Sequence, residues 1–260
     1  YDNYWVLNRY GSELLKFNSS NKFVCAYTYD IGGYSSNYMA DTIATDSQGR
    51  IFVKRNSSPH IQVVKNDCNF AGKIETQGGS TIGINSSDEI FIASPWSRGI
   101  RRITDYDKFL LTFPGSSKPY SEWIVKDSIY VKGDIIGGNV RGLIDIEFTE
   151  DGTMYGLDYF RNKMVKISGP TGITPWRQGV SDSGLQNGFL GTYTVDASFG
   201  SRGGGNDQWD NSLGFGSSGN DLYIADGNNQ RVVKYDTSTT FASYDTKIGT
   251  SFSSMDMAKR

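Results

Sequence analysis

The feature that most constrains this chain is self-similarity with a period of roughly 40 residues. The clearest unit runs from Asn211 to Lys247. It opens with an apolar strand carrying Leu213 and Phe215, then a Ser-Gly-Asn-Asp turn, then an apolar strand from Leu222 to Ala225. A polar loop from Asp226 to Gln230 follows, then a strand from Arg231 to Tyr235 and an edge strand from Phe241 to Lys247. The same order of strand, turn, strand, polar loop and strand recurs over Thr42 to Glu75, Ser80 to Phe113 and Leu143 to Ser168, with a shorter copy from Glu122. The turns concentrate Gly, Asn and Asp, which enter the left-handed backbone region at least cost.

A unit of four short strands cannot bury both of its faces alone, so such units must stack. The two ends of the chain indicate how. The N-terminal segment through Thr28 aligns with the second, third and fourth strands of the clearest unit and lacks the first. The C-terminal segment from Ser251 to Arg260 reads as an isolated first strand. Joined, the two complete one unit, and a ring closed in this way leaves no free sheet edge. A solenoid would show atypical capping units at its ends instead. The expected fold is therefore all-β: a single closed β-propeller over residues 1–260, of about six four-stranded blades, closed by pairing of the N- and C-terminal strands. Two stretches fit the count poorly. The copy from Glu122 meets the next unit after about 20 residues, too few for four strands. Residues 171–210 exceed an ordinary connection and are either an insertion or a degenerate blade.

Composition agrees with a β protein: 31 Gly, 16 Tyr and 14 Phe, with 37% hydrophobic and 21% charged residues. No apolar run approaches the roughly 18 residues of a membrane-spanning helix. A net charge of −2 argues against a general nucleic-acid binder, which carries a basic face. The basic run Arg98, Arg101 and Arg102 is followed at once by Asp105 and Asp107 and reads as a solvated strand face. The chain begins at Tyr1 with no apolar leader, so the expectation is that Tyr1 follows a cleavage or marks the edge of a larger protein. Cys25 and Cys68 fall in neighbouring units, where either a disulfide or two unpaired small apolar residues would serve.

The segment leading into the clearest unit resembles the NHL repeat. Phe199 and Gly200, the glycines Gly203 to Gly205, Trp209, Asp226, Asn229 and Arg231 stand where that family has its Phe-Gly and Gly-rich lead-in, its aromatic, and its Asp, Asn and Arg. In the other units Asn8, Arg55, Ser94 and Asp158 occupy the place of Asp226, and Asp158 alone agrees. The resemblance implies a propeller. It does not select a function, because that family includes RNA-binding, protein-binding, cell-surface and lyase members.

In a propeller the loops between second and third strands share one rim. Here they supply Tyr10, Arg55, His60, Trp96, Arg98, Tyr159, Phe160, Arg161 and Asn229 as a candidate binding rim, the aromatic and arginine types that dominate binding hot spots. Packing between blades is the competing role for these large side chains. Trp176, Tyr193 and Trp209 would serve as a lid, as a stacking surface for sugar, or as core. Catalysis needs converging groups. His60 is the sole histidine, so a multi-histidine zinc site cannot be built, and the Gly203 to Gly205 run lacks the lysine and helix of a phosphate cradle.

The function expected is a non-enzymatic binding or scaffolding module, secreted or surface-exposed, recognising protein or glycan through one rim or forming part of a larger assembly. No cofactor is expected. Nucleic acid is disfavoured as a partner and no membrane span is expected. The catalytic alternative is a calcium-dependent lactonase- or esterase-like hydrolase with oxygen ligands drawn from Asp46, Asp145, Glu147 and Asp196 in the central channel. A second alternative is an RNA-binding NHL domain using Arg9, Arg55, Arg98 and Arg161. Asn-Ser-Ser triplets at Asn18, Asn56 and Asn85 would suit an extracellular protein if glycosylated, although about three such triplets arise by chance in so polar a chain.

Overall fold

The computed structural model describes residues 3–8, 13–28, 42–54, 60–75, 79–94, 99–103, 130–136, 142–176, 188–212, 214–238 and 243–248. These residues contain no helix. In chain order, β1 (Asn3–Asn8), β2 (Glu13–Asn18) and β3 (Phe23–Thr28) form a three-stranded antiparallel sheet. A four-stranded meander follows from β4 (Thr42–Thr45), β5 (Ile51–Lys54), β6 (His60–Val64) and β7 (Phe70–Glu75). The third unit has β8 (Thr81–Ile84), β9 (Ile90–Ala93), β10 (Gly99–Ile103) and β11 (Tyr130–Ile136). The fourth has β12 (Leu143–Phe148), β13 (Met154–Asp158), β14 (Lys163–Trp176) and β15 (Gly188–Phe199). A short parallel ribbon, β16 (Ser201–Arg202) with β17 (Gln208–Trp209), leads into the fifth unit of β18 (Phe215–Ser218), β19 (Asp221–Asp226), β20 (Arg231–Asp236) and β21 (Ser243–Ile248).

The repeated turn has a local cause. Asp46 Oδ1 accepts from the backbone N–H groups of Gln48 and Arg50, and Gly49 takes φ 73°. Asn85 does the same with Ser87 and Glu89, with Asp88 at φ 57°, and Asn18 with Ser20 and Lys22, with Asn21 at φ 59°. In each, an Asx oxygen satisfies two turn amides while the residue three positions on takes the left-handed conformation that Gly, Asn and Asp tolerate.

Successive sheets pack face to face in chain order, and alternation along each strand feeds two cores at once. Ile51 and Val53 face the first sheet with Trp5 and Leu14, while Phe52 faces the third sheet with Ile82, Ile90 and Ile92. Phe91 and Ala93 face the fourth sheet, where they meet Ile146 and Val165. Tyr155 and Leu157 turn to the fifth, against Phe215 and Ile224. Each fully buried aliphatic side chain contributes roughly 1.5–3 kcal/mol relative to exposure. The inner strands are stitched across the sheets: Ile82 N–H donates to Thr42 Oγ1 at 3.2 Å, Thr81 Oγ1 donates to Asp145 Oδ1 at 3.1 Å, and Phe215 N–H donates to Asp145 Oδ2 at 3.0 Å. Cys25 on β3 and Cys68 in the β6–β7 turn form a disulfide with Cα atoms 6.2 Å apart, joining the first two sheets covalently.

Two sequence expectations change here. The copy from Glu122 does not open a sheet of its own where it is described. Tyr130–Ile136 is the outer strand of the third unit, antiparallel to β10. Residues 171–176 and 188–199 belong to the fourth unit, because β14 and β15 pair antiparallel along their length, Met164 with Phe199 and Trp176 with Gly188. Five units are traceable among the described residues, against about six from the repeats. The C-terminal strand expected to close the ring lies in residues 249–260, outside the described residues, and β1 is paired with β2 alone among them.

This long pairing has a further effect that repeat periodicity does not predict. β15 also runs parallel to β11, Tyr130 to Ile136 opposite Gly188 to Thr194. The third and fourth units thereby merge into one eight-stranded sheet in the order β12-β13-β14-β15-β11-β10-β9-β8. Its two end strands return to each other. Thr81 on β8 bonds Asp145 on β12, and a Cβ on Gly83 would stand 2.7 Å from the Ile146 carbonyl oxygen, which explains the glycine. The sheet is rolled around Phe91, Ile100, Ile146, Val165, Ile167 and Tyr193.

Candidate functional site

Part of the expected rim can be placed. The β13–β14 turn holds Tyr159, Phe160 and Arg161 on a buried anchor, Asp158, which is 1% exposed. Asp158 Oδ1 accepts from the Arg161 backbone N–H at 3.2 Å, and its other oxygen lies 3.8 Å from Arg161 Nη1. Tyr159 is half-buried, donates from its hydroxyl to Asn211 Oδ1 at 3.5 Å, and meets Phe160 edge-on with ring centroids 5.5 Å apart. Phe160 is left 40% exposed. The turn therefore presents one aromatic ring and one guanidinium on a fixed backbone. His60 is half-buried as the first residue of β6, opposite Glu75. Tyr10, Arg55, Trp96 and Arg98 lie outside the described residues.

Asn229 has a structural task. Its Nδ2 donates to both Asp226 oxygens at 2.9 Å and to the Gly203 carbonyl at 2.8 Å. Arg231 donates from Nε to Asp226 Oδ2 at 2.7 Å and from Nη2 to the carbonyls of Gly205 and Gln208 at 2.6 and 2.8 Å. The lead-in loop is thus clasped onto β19 and β20. Trp209 packs beneath it against Phe199 and Tyr235, and Gly200, at φ 81°, has its Cβ position filled by the Trp209 ring. Trp209 and Tyr193 are fully buried, so neither is a lid or a stacking surface open to solvent. The Trp176 side chain lies outside the described residues.

The acids considered for a channel metal do not converge. Asp46 is held by Arg50, with Nη2 2.6 Å away. Asp145 is consumed by Thr81, Ile146 and Phe215, and Asp196 accepts from Ser168 Oγ at 3.0 Å. Glu147 is half-buried on β12. Among the described residues no group of three His, Cys, Asp or Glu side chains could hold a metal ion.

The rim opposite the β13–β14 turn carries the first-to-second-strand turns, which touch in sequence. Ser47 N–H donates to Asp88 Oδ1 at 2.8 Å, and Glu150 N–H donates to the Gly219 carbonyl at 3.0 Å. Between the third and fourth units this rim opens into a cleft of about 280 Å³. Asn85, Glu89, Arg102, Lys166, Ser168 and Asp196 line it together with Phe91 and Phe148. Arg102 is not on a solvated strand face: it shares a side of β10 with buried Ile100 and sits 3.3 Å from Glu89. Tyr193 lies within electrostatic reach of Arg102 and Glu89, and burial above all pushes its hydroxyl well above the ordinary 10.0. The missed signal was phase: Arg102 follows Ile100 by two along one strand, so both face the same side.

No family model and no curated protein matches the chain. Solved structures do resemble it. A catalytically inactive histidine-to-alanine variant of virginiamycin B lyase from Staphylococcus aureus, with quinupristin, matches at TM-score 0.52 and 13% identity, over 93% of this chain. The match spans only 65% of that lyase. A streptogramin B lyase matches at TM-score 0.53 and 10% identity, over 94% of this chain and 68% of the other. Hydrazine synthase of Kuenenia stuttgartiensis matches at TM-score 0.52 and 12% identity, over 90% of this chain and 73% of the other. At these identities the likeness concerns the fold. The chain is all-β with propeller-like neighbours.

Proposed function

We propose that this chain is a binding or scaffolding propeller of the NHL type, working outside the cell or on its surface, that recognises protein or glycan rather than transforming a substrate. The observation that carries the reading is the β13–β14 turn. There a buried carboxylate, Asp158, holds the turn that leaves Phe160 40% exposed beside Arg161. Pre-set aromatic and guanidinium groups bind with little further ordering cost. The disulfide supports an oxidising compartment. Closure of the ring by residues 249–260 against β1 belongs to the same proposal. The histidine whose loss inactivates the lyase variant has few candidate counterparts, since this chain has one histidine, half-buried at the start of β6. The test is a Phe160→Ala/Arg161→Ala variant and the parent chain, both labelled, on a glycan array and on immobilised extracellular proteins. Signal lost in the variant supports the rim; equal signal from both rejects it. Calcium-dependent turnover of lactone or ester substrates would replace the binding reading with a hydrolytic one.

A further inference from the structure

The cleft between the third and fourth units lies at the opposite end of the strands from the proposed rim. Its construction also differs. It is the open mouth of the eight-stranded roll, and roll and barrel mouths are places where small ligands bind because the surrounding sheet is already formed.

The lining sorts by chemistry. Phe91 and Phe148, with ring centroids 4.9 Å apart, provide an apolar side. Glu89 and Asp196 carry negative charge and Arg102 and Lys166 positive, so the lining is formally neutral. A free anion or cation therefore finds no net attraction, whereas a neutral molecule that both donates and accepts finds partners for each. Much of this set is held in place: Asn85 Nδ2 donates to Glu89 Oε2 at 2.8 Å, Arg102 pairs with Glu89, and Ser168 donates to Asp196.

One polar atom of the lining is left over: Arg102 Nε is buried with no hydrogen-bond partner among the described residues, as is the hydroxyl of Tyr193, which sits in the core of the roll and not in the cleft lining. A buried donor without a partner costs roughly 1–3 kcal/mol, and such groups call for an explanation.

We infer that this mouth is a binding site for one saccharide unit, a neutral polyhydroxylated ring whose hydroxyls answer the charged and polar groups and whose C–H face lies on the Phe91–Phe148 side. A volume of about 280 Å³ accommodates one such ring. The inference shares the glycan class with the proposed function but assigns it to a different site.

The experiment is saturation-transfer NMR and calorimetry on the full chain with glucose, galactose, mannose and N-acetylglucosamine, with glycine and betaine as zwitterionic probes. At least one sugar should bind with a Kd on the order of 1 mM, as suits a single small ring. Arg102→Met and Asp196→Asn, both checked for an unchanged far-ultraviolet spectrum, should each weaken that sugar at least tenfold. Phe160→Ala should leave it unchanged. Binding of no sugar, or preference for glycine or betaine, overturns the ligand class. Sugar binding that survives Arg102→Met but is lost in Phe160→Ala overturns this site while upholding the rim. Sugar binding lost only in the cleft variants, with Phe160→Ala giving the parent's signal on the glycan array, upholds the cleft and removes the rim.

Discussion

Thr81 and Asp145 sit 64 residues apart in sequence and meet across the seam that closes the eight-stranded roll, the threonine hydroxyl donating to the carboxylate at 3.1 Å. The second carboxylate oxygen accepts from Phe215 N–H at 3.0 Å, so one buried acid fastens the inner strands of the third, fourth and fifth units. Asp145→Asn should therefore destabilise the fold by about 2–3 kcal/mol, because one oxygen becomes an amide that faces another donor. Thr81→Val should cost less, since it removes a single bond and leaves the Phe215 contact intact. Urea unfolding of both variants checks this. Equal small losses would mean that the carboxylate does not fasten three units.

How much of this was legible in the sequence follows from the range of each signal. The turns at Asp46, Asn85 and Asn18 were readable because their chemistry is complete within five residues. The second strand of the fifth unit was readable from its alternation, and that of the second unit as a short apolar run buried on both faces, because both patterns are local. The parallel union of β11 with β15 was not, because nothing in either strand encodes which distant edge it will meet. The same limit left Tyr193 and Trp209 open between core, lid and stacking surface and hid the fastening role of Asp145, each of which depends on neighbours tens of residues away. The clasp residues Asp226, Asn229 and Arg231 were visible as a pattern, and their geometry shows the pattern serving loop attachment.

The disulfide joins the first sheet to the second across a separation of 43 residues. A cross-link closing a loop of that length restricts the unfolded chain by about 4 kcal/mol in the chain-entropy account. The Cys25→Ser/Cys68→Ser variant should lose a comparable amount, and thermal melting in reducing buffer should reproduce the loss in the parent chain. A parent chain indifferent to reductant would show that the two sheets hold together without the link.

Arg231 is 8% exposed and divides its donors among the Asp226 carboxylate and two loop carbonyls. Lysine carries one nitrogen on a flexible stem and cannot reproduce that fork. Arg231→Lys should cost about 2 kcal/mol, with hydrogen exchange accelerated over residues 203–210 and unchanged in the second sheet. Acceleration spread evenly over the chain would show that the clasp does not act locally.

Tyr193 tests a buried, unsatisfied hydroxyl through both stability and its dependence on pH. Its hydroxyl is buried without a partner among the described residues, so Tyr193→Phe removes a desolvated donor and should stabilise the protein by about 1 kcal/mol at neutral pH. Burial raises the hydroxyl's folded-state value above the ordinary 10.0. Below 10.0 both states keep the proton and this group gives stability no dependence on pH. Above it the unfolded chain releases the proton while the folded chain retains it, so stability falls as pH rises toward the folded value. In the variant that share of the alkaline loss disappears, leaving the share from other raised tyrosines such as Tyr155. Urea melts at about pH 7, 10 and 11 measure both effects. A variant more stable at neutral pH and flatter above 10 would identify the hydroxyl as a donor buried at a cost to the fold. A variant less stable at neutral pH would mean that the hydroxyl has a partner in the folded chain.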